Sequence, residues 1–161
     1  MAARDGRVRG RLGVVAVTGM VASNDRVLVA RAGAKPLVLD LDAKVIAELD
    51  LSAGHINEGA GMFAVAIPQK GLALLRPSDG GVIATWDVET NDAVPVPHGV
   101  VAIDSEGTVR VGCLHGNAIR EAAKVATGQK LAIIQHIGDR IALLGGGGNP
   151  VWVASFSNPC H

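Results

Sequence analysis

Residues 54–92 read GHINEGAGMFAVAIPQKGLALLRPSDGGVIATWDVETND, and the architecture of the chain follows from them. Three apolar runs, Met62–Ile67, Gly71–Leu75 and Gly81–Trp86, follow one another at close intervals. Each is five or six residues long, the length of a strand and well short of a globular helix. The break Pro77-Ser78-Asp79-Gly80-Gly81 is turn chemistry. Proline presets one backbone angle, Asp bonds its own backbone, and glycine reaches positive φ without a Cβ clash.

The same texture continues in both directions. Towards the N-terminus lie apolar runs at 13–17, 26–30, 36–41 and 44–49. Towards the C-terminus they recur at 99–103, 108–114, 130–134, 140–144 and 151–156. Ser23-Asn24-Asp25, Gly33–Pro36, Asp104–Gly107 and Gly145–Pro150 punctuate them. Many short strands at regular spacing predict an all-β fold. Asn117–Thr127 is the one segment that favours helix by composition, with Gly128 placed to end it. We read it as strand, with Ile119 and Val125 on outer strands.

A repeat separates the all-β alternatives. Asn24-Asp25-Arg26-Val27-Leu28-Val29 matches Gly138-Asp139-Arg140-Ile141-Ala142-Leu143, and each is followed by a glycine turn and a proline-led strand. The two segments stand 114 residues apart with two further units between them. The implied repeat is close to the ~40–45 residues of a four-stranded propeller blade.

Residues 54–92 resemble a WD40 repeat. Gly54-His55 opens the unit, Trp86-Asp87 closes its last strand, and Val88–Asp92 is similar to the turn that follows. The resemblance implies a hydrogen-bonded structural tetrad, for which His55, Asp79 and Trp86 are the candidates. The Ser/Thr of the middle strand has no counterpart, because Gly71–Leu75 contains neither. The other units are degenerate: Leu39-Asp40 stands at the Trp-Asp position of the first, and Gly112-Cys113 in the third. Only 26 residues separate Trp86 from Gly112, so the third unit is expected to lack a strand or to be shifted in register.

The expected fold class is therefore an all-β, β-propeller-like domain of about four WD40-type blades. An N-terminal arm, 1–11, precedes approximate blades 12–51, 52–92, 93–128 and 129–161. Such a run closes as a ring of its own, pairs with a second copy, or is completed by blades from elsewhere. We expect a partial propeller completed by association, since unpaired sheet edges invite pairing. Arg7–Val17 is placed to supply an outer strand to the last unit.

Composition narrows the function classes. Lys+Arg and Asp+Glu are equal at 15 each, and the only basic cluster is Arg4, Arg7, Arg9 and Arg11, so no nucleic-acid partner is expected. No apolar run reaches a membrane span. The apolar stretch from Leu12 to Ala22 is broken by Thr18 and Gly19 and runs on into the next strand, against a leader peptide. Two cysteines make no disulfide framework, and Cys113 is read as a small buried apolar residue in a cytoplasmic protein.

Catalytic readings are weak. Gly145–Gly148 precedes Asn149-Pro150 and a strand, where a phosphate loop requires a helix and Gly-Lys-Ser/Thr. Cys113, His115, Cys160 and His161 lack zinc-knuckle spacing. No Gly-x-Ser-x-Gly elbow exists, and His55, His98, His115, His136 and His161 stand at or near turns or strand ends. Thr127–Lys130 is similar to a turn of quinoprotein propellers, whose docking tryptophans are missing from most units. No catalytic, metal or cofactor residue is expected. The expected function is a non-catalytic interaction or scaffolding module, with a protein partner or a second copy of itself. A shell, capsid or filament subunit is the first alternative, and a cofactor-binding or hydrolytic propeller the second.

Overall fold

The computed structural model describes residues 8, 10–13, 16–146 and 151–161. They form fifteen strands and no helix. The strands are β1 (Val17–Ser23), β2 (Arg26–Arg31), β3 (Ala34–Asp40), β4 (Val45–Glu48), β5 (Ile56–Gly59), β6 (Met62–Ile67), β7 (Gly71–Leu75), β8 (Val82–Trp86), β9 (Asp92–Val96), β10 (Gly99–Ile103), β11 (Thr108–His115), β12 (Ala118–Ala126), β13 (Leu131–Ile137), β14 (Arg140–Gly145) and β15 (Val151–Ser155). Asn117–Thr127 is thus strand, as the sequence reading preferred. Its helix formers are overridden by pairing with the whole of β11.

Each group of successive strands is an antiparallel meander, or blade: β1–β4, β5–β8, β9–β12 and the three-stranded β13–β15. A single parallel bridge, Ala118↔Thr85, links the outer strands of the second and third blades. The hairpins between the first two strands of the blades turn at Asn24, Ala60, His98 and Gly138, all at positive φ. The Asn24 and Gly138 repeat therefore marks equivalent turns.

Blades pack face to face through three cores. Leu28, Ala30 and Val38 of the first blade meet Phe63, Val65 and Leu75 of the second. Met62, Ala64, Leu72 and Trp86 of the second meet Ala93, Val100, Ala102 and Ile119 of the third. Val94, Val101 and Ile103 of the third meet Leu131, Ile134 and Leu143 of the fourth. Because the middle blades are covered on both faces, β7, β9 and β10 are buried at every residue and show no polar alternation. Small side chains serve such close face-to-face packing, which accounts for the scarcity of aromatics.

One expectation is decided between its alternatives and another needs correction. Of a lost strand or a shifted register in the third unit, the shifted register holds: the unit has four strands, β9–β12. Asp92–Val96, taken partly as the tail of the second unit, opens the third, and Ile56–Gly59 adds a first strand to the second unit. Short strands of Asn, Glu, Asp and Pro carry no propensity signal and are held by their neighbours. Cys113 is buried, but it is not a free thiol. It is joined to Cys160 in a disulfide with Cα atoms 5.2 Å apart. Proximity came from folding, since 47 residues separate the pair.

The segment after β15 forms no strand. It returns to the third blade, where Asn158 Nδ2 donates to the Pro97 carbonyl at 2.7 Å beside the disulfide. Of Arg7–Val17, residues 8, 10–13 and 16 are not in strands and Val17 opens β1; residues 7, 9, 14 and 15 lie outside the described residues. The turn at 147–150 also lies outside them. No helix among the described residues is long and apolar enough to cross a membrane.

Candidate binding surface at the inner strands

The first strands of the blades, β1, β5, β9 and β13, supply the residues at the centre of the arc. A cleft of about 330 Å³ opens between them, lined by Thr18, Met20, His55, Asn57, Asp92 and Gln135 among others. A second cleft, of about 560 Å³, runs between the second and third blades and is lined by His55, Lys70, Asp87, Glu89, Asn91 and Ser105 among others. His55 belongs to both.

Beneath the clefts a polar chain crosses three blades. Asn57 Nδ2 on β5 donates to Asp92 Oδ1 at 2.8 Å and to the Ala93 carbonyl at 3.0 Å. Asp92 Oδ2 accepts the Ile134 N–H of β13 at 3.0 Å, and Gln135 Nε2 donates to Asn57 Oδ1 at 2.9 Å. His55 Nδ1 lies 3.6 Å from Asp92 Oδ2. Asp92 is buried, and burial raises its pKa from 3.8 because the charged form loses solvation. The Ile134 N–H and His55 pull in the opposite direction.

This chain is a structural tie with a testable pH signature. Asp92→Asn places an amide NH₂ where a buried donor needs an acceptor, and is expected to cost about 1–3 kcal/mol of unfolding free energy. The raised folded-state pKa makes Asp92's protonation-linked stability fully present below 3.8 and lost as pH rises through the folded value. The advantage of wild type over Asp92→Asn should therefore narrow as pH rises from about 4. Urea denaturation of both proteins across that range checks it, and a gap that widens would contradict it.

The structure does not assemble the tetrad suggested by the WD40 resemblance. His55 and Trp86 are placed at one end of the second blade, His55 just before β5 and Trp86 at the end of β8. Asp79 sits in the turn at the other end. There it is taken up by Arg76, whose Nε lies 3.0 Å from Oδ1, and by the Gly81 N–H at 2.9 Å. The Arg76 hydrogen bond and then the Gly81 N–H hold its carboxyl below the ordinary value. The reason is the unread strand Ile56–Gly59, which moves Trp86 from the third strand of its unit to the fourth. His55 finds Asp92 instead. The sequence reading missed Asn57, Asp92 and Gln135 as a set; their signal is a polar residue at an inner-strand position of three successive units.

Hydroxyls around the larger cleft are engaged locally. Thr90 Oγ1 donates to the Val88 carbonyl at 2.8 Å, and Ser105 Oγ donates to Glu89 Oε1 at 3.0 Å. Neither is partnered by a histidine. Cys113 and Cys160 are spent in the disulfide and offer no thiolate to a metal. Among the described residues no three His, Cys, Asp or Glu side chains converge as a metal site.

The fold defines the class: this is a β-propeller-like protein. No protein-family model and no curated protein matches the chain. Solved structures do. The computationally designed Ika4 protein superposes with a TM-score of 0.70 at 12% identity, over 92% of this chain and 96% of that one. BamB from Moraxella catarrhalis gives 0.72 at 14% identity, over 88% of this chain and 45% of that one. The WD40 β-propeller domain of Doa1 gives 0.65 at 15% identity, over 85% and 50%. The chain spans about half the length of the BamB and Doa1 chains. At these identities the likeness is one of fold.

Proposed function

We propose that this protein is a non-catalytic interaction module, a degenerate WD40-like run of blades whose inter-blade cleft receives an extended segment of a partner protein. The observation that carries the reading is the cleft at His55, Lys70, Asp87, Glu89 and Asn91, set on two blades whose strands β7 and β9 are buried at every residue. A rigid scaffold that presents polar loop residues is suited to recognition. Its hydroxyls bond to backbone and to Glu89, which supports binding over nucleophilic chemistry.

Selection of peptides from a display library against the purified protein tests this. Binders should lose at least tenfold in affinity on Asp87→Lys with Glu89→Lys, and keep it on Arg120→Glu, an exposed change on β12. Binders indifferent to the cleft changes, or no binders at all, would sink the proposal. For location, the Cys113–Cys160 pairing supports an oxidising compartment over the cytoplasm expected from cysteine number, because reducing compartments keep thiols open. Alkylation of the protein taken from its own cells without reductant should add no label; two labels would place it in a reducing compartment.

A further inference from the structure

We propose that the Asp79-Gly80 pair, in the turn between β7 and β8, is a site of spontaneous aspartate isomerisation, and that Arg76 sets its rate by holding both reacting groups.

The chemistry needs an aspartyl carboxyl beside an unhindered main-chain N–H. The Gly80 nitrogen attacks Cγ of Asp79, the carboxyl hydroxyl leaves as water with the nitrogen's proton, and a five-membered succinimide closes. Water then adds to the former main-chain carbonyl and breaks its bond to the Gly80 nitrogen. The chain now runs through Cγ as isoaspartate, with no atom gained or lost overall. Glycine has no Cβ to obstruct the nitrogen's approach, which leaves an Asp-Gly pair the most open to this reaction. The chain has two such pairs, Asp79-Gly80 and Asp5-Gly6, the latter outside the described residues.

The turn needs both residues of the pair. Gly80 stands at φ +71°, and a Cβ on it would lie 2.6 Å from Leu49 Cδ2 and 3.2 Å from Val38 Cγ2. Asp79 Oδ1 accepts the Gly81 N–H at 2.9 Å. Replacing either residue to remove the labile pair would therefore disturb the turn.

Arg76 restrains the reaction at both ends. Its carbonyl accepts the Gly80 N–H at 2.8 Å, which ties up the attacking nitrogen. Its guanidinium holds the carboxylate as a fork, with Nε 3.0 Å from Oδ1 and Nη2 3.1 Å from Oδ2. A carboxylate held in this way stays ionised and has no hydroxyl to lose. The Arg76 N–H donates to the Gly81 carbonyl at 2.8 Å and closes the turn around the pair. Both side chains are about half exposed, so the restraint is partial and local opening releases it.

Isomerisation at this place would be felt beyond the turn. Leu49 and Val38 belong to the core between the first and second blades. The added main-chain carbon lengthens the turn and moves Gly80 off these two side chains, which loosens that junction.

The full chain is kept for weeks at physiological temperature and neutral pH, and electron-transfer peptide mapping quantifies isoaspartate at both pairs. The Gly80 hydrogen bond and the fork should make the native rate at Asp79 about tenfold slower than in the same chain unfolded in guanidinium. Arg76→Ala should raise the native rate about two- to fivefold, the effect of losing an exposed ion pair, and leave the rate at Asp5 unchanged. Arg76→Lys keeps a charge without the fork and should fall between the two. The isomerised fraction, isolated by hydrophobic-interaction chromatography, should unfold at a lower urea midpoint than the unmodified chain. The comparison of native with unfolded wild type needs no variant, so it stands even where Arg76→Ala does not fold. Equal native and unfolded rates, an Arg76→Ala rate equal to that of wild type, or equal urea midpoints would each overturn the proposal.

Discussion

Replacing Trp86 with alanine is expected to lower the free energy of unfolding by about 3–5 kcal/mol, as large-to-small changes at buried aromatics do. Trp86 is 8% exposed and lies in the core between the second and third blades. Its ring covers the backbone of Gly112, where a Cβ would come within 2.7 Å of Cζ3. Ile119 crowds the same spot, with Cγ2 at 2.3 Å. The cavity left by alanine would be bounded by backbone on β11 and could not collapse readily, which sets the cost towards the upper end. Urea denaturation followed by far-UV circular dichroism reads it directly. A loss below about 1 kcal/mol would mean that this junction does not depend on the ring. The result also bears on the family resemblance. Trp86 acts through packing across a blade junction, whereas a tetrad tryptophan would act through a hydrogen bond inside one unit.

The second large effect concerns the C-terminal tail. Cys113→Ser combined with Cys160→Ser should cost about 4 kcal/mol, the chain-entropy value for closing a loop of this size. The cross-link spans 47 residues, enclosing most of the third blade's outer strands and the whole of the fourth blade. Phe156 N–H still donates to the Asp139 carbonyl at 3.2 Å, but residues 157–161 are in no strand, so the disulfide and the Asn158–Pro97 contact fasten the end of the tail. Guanidinium denaturation with and without reductant provides the check. Wild type in reductant should match the double variant, and the variant should not respond to reductant. Equal midpoints for oxidised and reduced wild type would show that the cross-link contributes nothing to stability.

Much of the architecture is legible in the residues alone. Short apolar runs with Asx, Gly and Pro between them point to strands, and the matching segments at Asn24 and Gly138 set the repeat. Both proved to be the same hairpin turn in different blades. What failed was the register inside the units. Ile56–Gly59 contains Asn, Glu and Gly, and Asp92–Val96 contains Asp and Pro; neither looks like a strand in isolation. Each is a strand because its neighbours in the sheet supply its hydrogen bonds. One missed strand at each end of the second unit shifted the assignments of Trp86, Asp79 and the third unit together.

That the chain is all β, that it repeats, and that its core is built from small aliphatic side chains are all written in the order of its residues. Those properties depend on local periodicity and turn chemistry, which neighbouring residues carry. Which polar groups meet depends instead on how the blades stack. His55, Asn57, Asp92 and Gln135 come from three blades, and Cys113 finds Cys160 across 47 residues.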